Sequence, residues 1–110
     1  MQAANTVLQV PSRDLDTITG VVVFSLMECE PCEVLSDVLA REEFRTTAIT
    51  IFELNPLVRE DRAFIRANAI TAFPTLVKFE NGAEVKRLVG VNPLDPPELI
   101  VDYVMKYLIQ

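Results

Sequence analysis

The sequence predicts an α/β fold built on a mixed central sheet, and three observations carry that expectation. β-rich apolar runs alternate with segments of helical periodicity, the pattern of parallel strands joined by helical crossovers. The last two strand-like segments are separated by Asn81-Gly82 alone, a strong short-range signal for an antiparallel hairpin. The 110 residues are 50% hydrophobic, enough for one compact core, so residues 1–110 are read as a single domain.

Each element follows in order. Val7 to Val10 is a short apolar stretch read as an edge strand. Pro11 breaks it, and Ser12 is placed to cap a short helix carrying Leu15 and Ile18, ended by Gly20. Val21 to Leu26 is a nearly continuous β-rich apolar run and reads as a buried central strand. Val34, Leu35, Val38, Leu39 and Ala40 then recur at helical spacing through about Phe44. Ala48 to Leu54 is a second central strand. Asn55-Pro56 signals a helix start, with Asn as cap and Pro at the first helical position, and Phe64, Ile65 and Ala67 lie on that helix. Thr75 to Glu80 and Ala83 to Val89 form the hairpin, closed by Gly90. Asp95-Pro96-Pro97-Glu98 reads as a capping box opening a last helix. Its stripe of Leu99, Ile100, Tyr103, Val104, Tyr107 and Leu108 is expected to cover a sheet face. The expected order is β-α-β-α-β-α-β-β-α.

Charge narrows the function. Lys plus Arg number 10 against 16 Asp plus Glu, a net charge of −6. Nucleic acid is therefore not expected as a partner, because phosphate contacts need clustered cations. The chain has no His, which removes His-based acid–base chemistry and His metal ligands. No apolar run approaches the roughly 20 residues of a membrane span, so no membrane partner is expected. Met1 to Ser12 lacks the charged start, apolar core and cleavage site of a signal peptide, so a cytoplasmic location is expected. In that reducing compartment two cysteines are better explained by chemistry than by a structural staple. Arg41-Glu42-Glu43 and Arg59-Glu60-Asp61-Arg62 read as solvated helix faces.

Cys29-Glu30-Pro31-Cys32 lies between the buried strand and the helix that follows. The first cysteine falls at a helix start, where unpaired N–H groups and the dipole favour a thiolate. The second stands about one turn later and can attack a mixed disulfide intramolecularly, which is thiol–disulfide exchange with a built-in release step. Zinc is not expected, because a structural site needs four Cys or His ligands and the chain offers two.

These cysteines, together with Ala72-Phe73-Pro74-Thr75-Leu76, Asn81-Gly82 and Gly90, resemble the thioredoxin family from about Thr6 to Ile109. The resemblance implies a thioredoxin fold, a three-layer α/β/α sandwich, with a cis peptide bond before Pro74 facing the cysteine pair. It implies Cys29 as attacking nucleophile and Cys32 as resolving thiol. Substrate contacts would involve Pro31, Phe73, Pro74, Gly90 and Val91, with Pro74 keeping metal from the thiols. Protein disulfides would be the substrates. No bound cofactor is required, but an external reductase must act as electron donor.

The departures from the family pattern carry expectations of their own. Where thioredoxins usually carry Trp-Cys-Gly-Pro-Cys-Lys, this chain has Glu28-Cys29-Glu30-Pro31-Cys32-Glu33. The family's buried Asp aligns with Val23, and its partner Lys with Glu53. Glu53 either replaces that Asp as proton acceptor for Cys32, if buried, or is a solvent-facing residue at the strand end. Each flanking glutamate opposes the Cys29 thiolate by about 0.6 kcal/mol at roughly 7 Å in a water-like dielectric. The helix terminus favours it by roughly 0.3–1 kcal/mol. Cys29 is therefore expected to titrate nearer a free thiol than a typical thioredoxin nucleophile does. The acidic rim favours basic or neutral protein substrates. Phe73 either supplies part of the apolar surface that the missing Trp would give, or packs in the core. Two rival functions follow from the same fold: a glutathione-dependent reductase of glutaredoxin type, disfavoured by the acidic surroundings, and an interaction or adaptor module with weak or no redox activity.

Overall fold

The structure, a computed structural model, describes residues 6–8 and 15–109. Five strands form one sheet in the order β1-β3-β2-β4-β5. They are β1 (Thr6–Leu8), β2 (Gly20–Leu26), β3 (Ala48–Leu54), β4 (Thr75–Glu80) and β5 (Ala83–Val89). β1 and β2 run parallel to β3, whereas β4 is antiparallel to β2 and β5 antiparallel to β4. The mixed sheet expected from the sequence is therefore present, with β1 and β5 at its edges. A bulge between Lys78 and Phe79 interrupts the β4–β5 ladder.

Three helices cover the sheet: α1 (Glu30–Leu39), α2 (Arg59–Ala67) and α3 (Pro97–Val104). β2 is buried on both faces, and its alternation divides the core. Val21 and Val23 point to one side, where Leu35, Val38 and Leu39 of α1 meet Ile100, Val101 and Val104 of α3. Val22 and Phe24 point to the other, where Phe52 and Ile70 are buried and Phe64 and Ile65 of α2 pack. The result is the three-layer α/β/α sandwich. Phe24, Phe52 and Phe64 form an aromatic trio with ring centroids 5.2–6.2 Å apart, locking α2 to β2 and β3.

The hairpin turn follows from residue chemistry. Asn81 and Gly82 both take positive φ, 51° and 84°, as a two-residue hairpin turn requires. Gly82 is also sterically compulsory, because a Cβ there would collide with the Asp16 backbone, and its N–H donates to the Ile18 carbonyl at 2.8 Å.

Several local expectations are corrected. No helix forms over residues 15–19; Ser12, Gln9 and Val10 lie outside the described residues, while Leu15 and Ile18 reach the second core cluster from a turn. α1 ends at Leu39, and Glu42–Phe44 is a separate 3-10 turn. Asn55 does not cap α2. Its Oδ1 accepts from the Leu57 N–H at 2.9 Å in a local turn, and the helix begins four residues after Asn55 with Val58 as its cap residue. Asp61 is no solvated residue: it is 7% exposed and accepts the Asn55 N–H at 2.8 Å. The capping box at Asp95 is absent, since Pro96 is the cap residue of α3 with no side-chain cap bond and Pro97 starts the helix. The buried face of the last helix is Ile100, Val101, Val104 and Leu108, with Leu108 on the π-helical turn Met105–Ile109 that follows α3. Leu99 and Tyr107 are exposed.

Candidate functional site

The sheet itself gathers the chemistry-bearing residues at one end. β2 delivers the chain to the turn Met27-Glu28 and then to Cys29. Antiparallel pairing sets Phe24 of β2 opposite Thr75 of β4, and Thr75 opposite Val89 of β5. Pro74 and Gly90, the residues just outside those pairs, therefore lie at the end of the sheet from which the cysteine loop emerges.

Glu28 adopts a left-handed backbone, φ 54°, which turns the chain from strand into helix. Cys29 follows as the cap residue of α1, in extended conformation at φ −120° and ψ 111°. Its Sγ accepts the Cys32 N–H at 3.3 Å, and its carbonyl accepts the Glu33 N–H at 3.0 Å, the first helical bond. Pro31 sits in the first turn, where a missing N–H leaves no hydrogen bond unmade. Glu30 and Glu33 complement the positive end of the helix dipole, the same two charges that oppose a thiolate at Cys29.

Cys29 and Cys32 are joined as a disulfide with Cα atoms 5.2 Å apart, inside the range that a disulfide spans. Cys29 is half-buried and Cys32 is 5% exposed, so one sulfur faces outward and the other lies behind it. The Phe73-Pro74 bond is cis. Thr75 Oγ1 donates to the Ala72 carbonyl at 2.7 Å, closing the loop around it, and the Gly90 N–H donates to the Pro74 carbonyl at 2.8 Å. Gly90 makes that reach with φ 81°, a conformation other residues resist.

The remaining candidates divide. Pro31 and Phe73 are half-buried, and Phe73 packs against the second core cluster while keeping part of its surface outward. Pro74 is buried. Val91 belongs to the first core cluster at 9% exposure, so its side chain serves packing and not a contact surface. Val23 is buried at 3%. Across the β2–β3 ladder it stands opposite Ile51, while Glu53 is two positions further along, opposite Ser25. Glu53 is exposed, so the burial on which its role as a Cys32 proton acceptor depended is absent.

Two features went unseen in the sequence. Met27, two residues before Cys29, is 60% exposed and presents apolar surface at the site. Behind Cys32, a cavity of about 360 Å³ opens between the sheet and α1. Val23, Ser25, Leu26, Ile51 and Glu53 line it from β2 and β3; Cys32, Glu33 and Ser36 line it from α1; Glu28 closes the turn side. Among the described residues no group of His, Cys, Asp and Glu is arranged to hold a metal ion, and no helix is long and apolar enough to cross a membrane.

Comparison with known proteins agrees with this geometry. No protein-family model matches the chain. The thioredoxin of Chlamydia caviae is 30% identical over 79 residues, covering 70% of this chain and 76% of that protein. Thioredoxin-1 of Saccharomyces cerevisiae is 32% identical over 73 residues, 66% of this chain and 69% of that one. Among solved structures, the thioredoxin of Malassezia sympodialis superposes with a TM-score of 0.67 at 20% identity, covering 97% of this chain and 95% of its own. A thioredoxin mutant from Halobacterium salinarum gives 0.62 at 24% identity, with coverage of 100% and 97%.

Proposed function

Since this chain belongs to the thioredoxin family, we propose that it exchanges disulfides with protein substrates, with Cys29 as nucleophile and Cys32 as resolving thiol. One observation carries the reading: a half-buried sulfur at the mouth of α1 with a buried sulfur joined to it from behind. In the reduced protein the Cys29 thiolate attacks one sulfur of the substrate disulfide and expels the other as a thiolate. Cys32 then attacks Cys29 within the mixed disulfide, releasing the substrate as a dithiol. Two electrons pass to the substrate, and the Cys29–Cys32 disulfide remains for an external reductase to reduce.

Contact with the substrate is assigned to Pro31, the outward part of Phe73, the Pro74–Gly90 loop and Met27, which together make the apolar surface beside the outer sulfur. Glu28, Glu30 and Glu33 surround it with negative charge, favouring basic or neutral proteins and disfavouring an anionic peptide such as glutathione. Proton acceptance by Glu53 now rests only on its sharing a cavity with Cys32.

An insulin-reduction assay with dithiothreitol as electron source tests the reading. Wild type accelerates reduction and Cys29→Ser abolishes the acceleration. Cys32→Ser accumulates a mixed disulfide with the substrate. A folded wild-type protein that gives no acceleration refutes the proposal and supports the adaptor reading.

A further inference from the structure

The cavity behind Cys32 has a feature that the exchange chemistry leaves unexplained. Ser25 continues the alternation of Val21 and Val23 on β2, so its side chain faces α1 and the cavity. The residue is 7% exposed, and its hydroxyl has no hydrogen-bond partner among the described residues. A buried polar group normally has one, and leaving it unpaired is costly. The same cavity is lined by Glu28, Glu33 and Glu53. None of these three is in an ion pair with a cation of the described residues, although Arg41, Arg45, Lys78 and Arg87 all have carboxylate partners elsewhere. An unpartnered hydroxyl and three carboxylate residues without a cationic partner thus border one space of about 360 Å³ whose wall includes Cys32 of the reactive pair.

We propose that this cavity is a subsite for a cationic side chain, the guanidinium of an arginine near the target disulfide of the substrate protein. The proposal rests on the disulfide-exchange reading above and specifies its substrate class. A guanidinium offers five donors in a planar fork and carries no acceptor, matching a site that offers a hydroxyl and carboxylates. Its aliphatic stem lies along Val23 and Ile51, which line the same wall. Each carboxylate about 7 Å from the bound charge in a water-like dielectric favours it roughly threefold. The three together discriminate by about twentyfold at low ionic strength, and added salt erodes this.

The experiment compares two synthetic peptides, each with one intramolecular disulfide, identical except for arginine or its neutral isostere citrulline beside the first cysteine. The reduced protein is regenerated with dithiothreitol, and the readout is the arginine-to-citrulline ratio of kcat/KM. A general effect of Glu53 on proton transfer cancels in that ratio. Wild type gives a ratio of about twenty at low salt. Glu53→Gln lowers it about threefold, and Ser25→Val, which removes the hydroxyl without changing any charge, lowers it as well. Glu30→Gln removes the same charge outside the cavity and lowers it less than Glu53→Gln. Equal effects of Glu30→Gln and Glu53→Gln, or a wild-type ratio near one, overturn the subsite and leave the exchange activity standing. Failure to reduce either peptide overturns both.

Discussion

Arg87 is where a single substitution tests the packing logic most sharply. From β5 its guanidinium reaches across to the end of α2, donating to the Ala69 carbonyl at 2.9 Å and the Asn68 carbonyl at 3.0 Å. It also grips Glu84 through two bonds of 2.9 and 2.8 Å. The carbonyls at a helix end have no partner within the helix, so Arg87 acts as a cap supplied from another element. The side chain is 23% exposed, which places it between a surface pair and a buried one. The Glu84 pair alone is worth at most about 1 kcal/mol. Two charge-assisted bonds to carbonyls that water can partly re-solvate add about 1 kcal/mol more. Arg87→Ala is therefore expected to cost about 2 kcal/mol, which lowers Tm by roughly 10 °C in a domain of this size. Arg87→Lys, which lacks the fork, should lose about half of that. Urea denaturation measures the change, with Arg45→Ala as control. Arg45 pairs with Glu42 at 3.0 Å in full view of solvent, and its loss should cost no more than about 0.5 kcal/mol. If Arg87→Ala costs no more than Arg45→Ala, then Arg87 is an ordinary surface charge and the capping argument is wrong.

Three further outcomes are expected. Alkylation of reduced Cys29 should show a pH midpoint above neutrality, and Glu30→Gln should lower it by a few tenths of a pH unit, each carboxylate opposing the thiolate by about 0.6 kcal/mol at roughly 7 Å; a wild-type midpoint below neutrality contradicts this. Burial, and secondarily the charge of Asp95, raise the Tyr103 hydroxyl above its ordinary value of 10.0. The folded state therefore holds that proton more tightly than the unfolded chain, so stability present below pH 10 should decline as pH rises through the folded value, and Tyr103→Phe should flatten the decline in alkaline urea melts. Gly82→Ala should destabilise by more than about 1 kcal/mol, because both the positive φ and the Asp16 backbone exclude a Cβ; a thermal melt matching wild type would refute that.

The strands were the most legible part of the chain, for a physical reason. β2 through β5 are bounded by turn residues; Val21–Leu26, buried along most of its length, appears directly as an apolar run, and Ala48–Leu54, with exposed positions, as a β-rich alternation. The helix starts were less legible because a polar residue has several local options. Asn55 spends its side chain on the Leu57 N–H, and its own N–H is taken by Asp61, a pairing that no sequence pattern announces. The last helix shows the same ambiguity in its packing. A stripe starting at Leu99 and one starting at Ile100 share most of their members, and only contact with β2 and α1 selects Val101 over Leu99. At the site, the two cysteines and Phe73-Pro74 were readable because distant motifs coincide. The cavity was not, since it is a gap between Ser25 and α1 rather than a residue pattern, and the choice between the two readings of Glu53 needed its exposure, which spacing does not give.

The outer strand β5 has a bearing on how this molecule behaves at high concentration. A flat, uncharged margin invites another chain to zip onto it and seed aggregates. Here that margin carries Glu84, Lys86 and Arg87, and the interruption between Lys78 and Phe79 spoils the regular spacing a neighbour would need. The arrangement discourages stacking of copies through this border of the sheet.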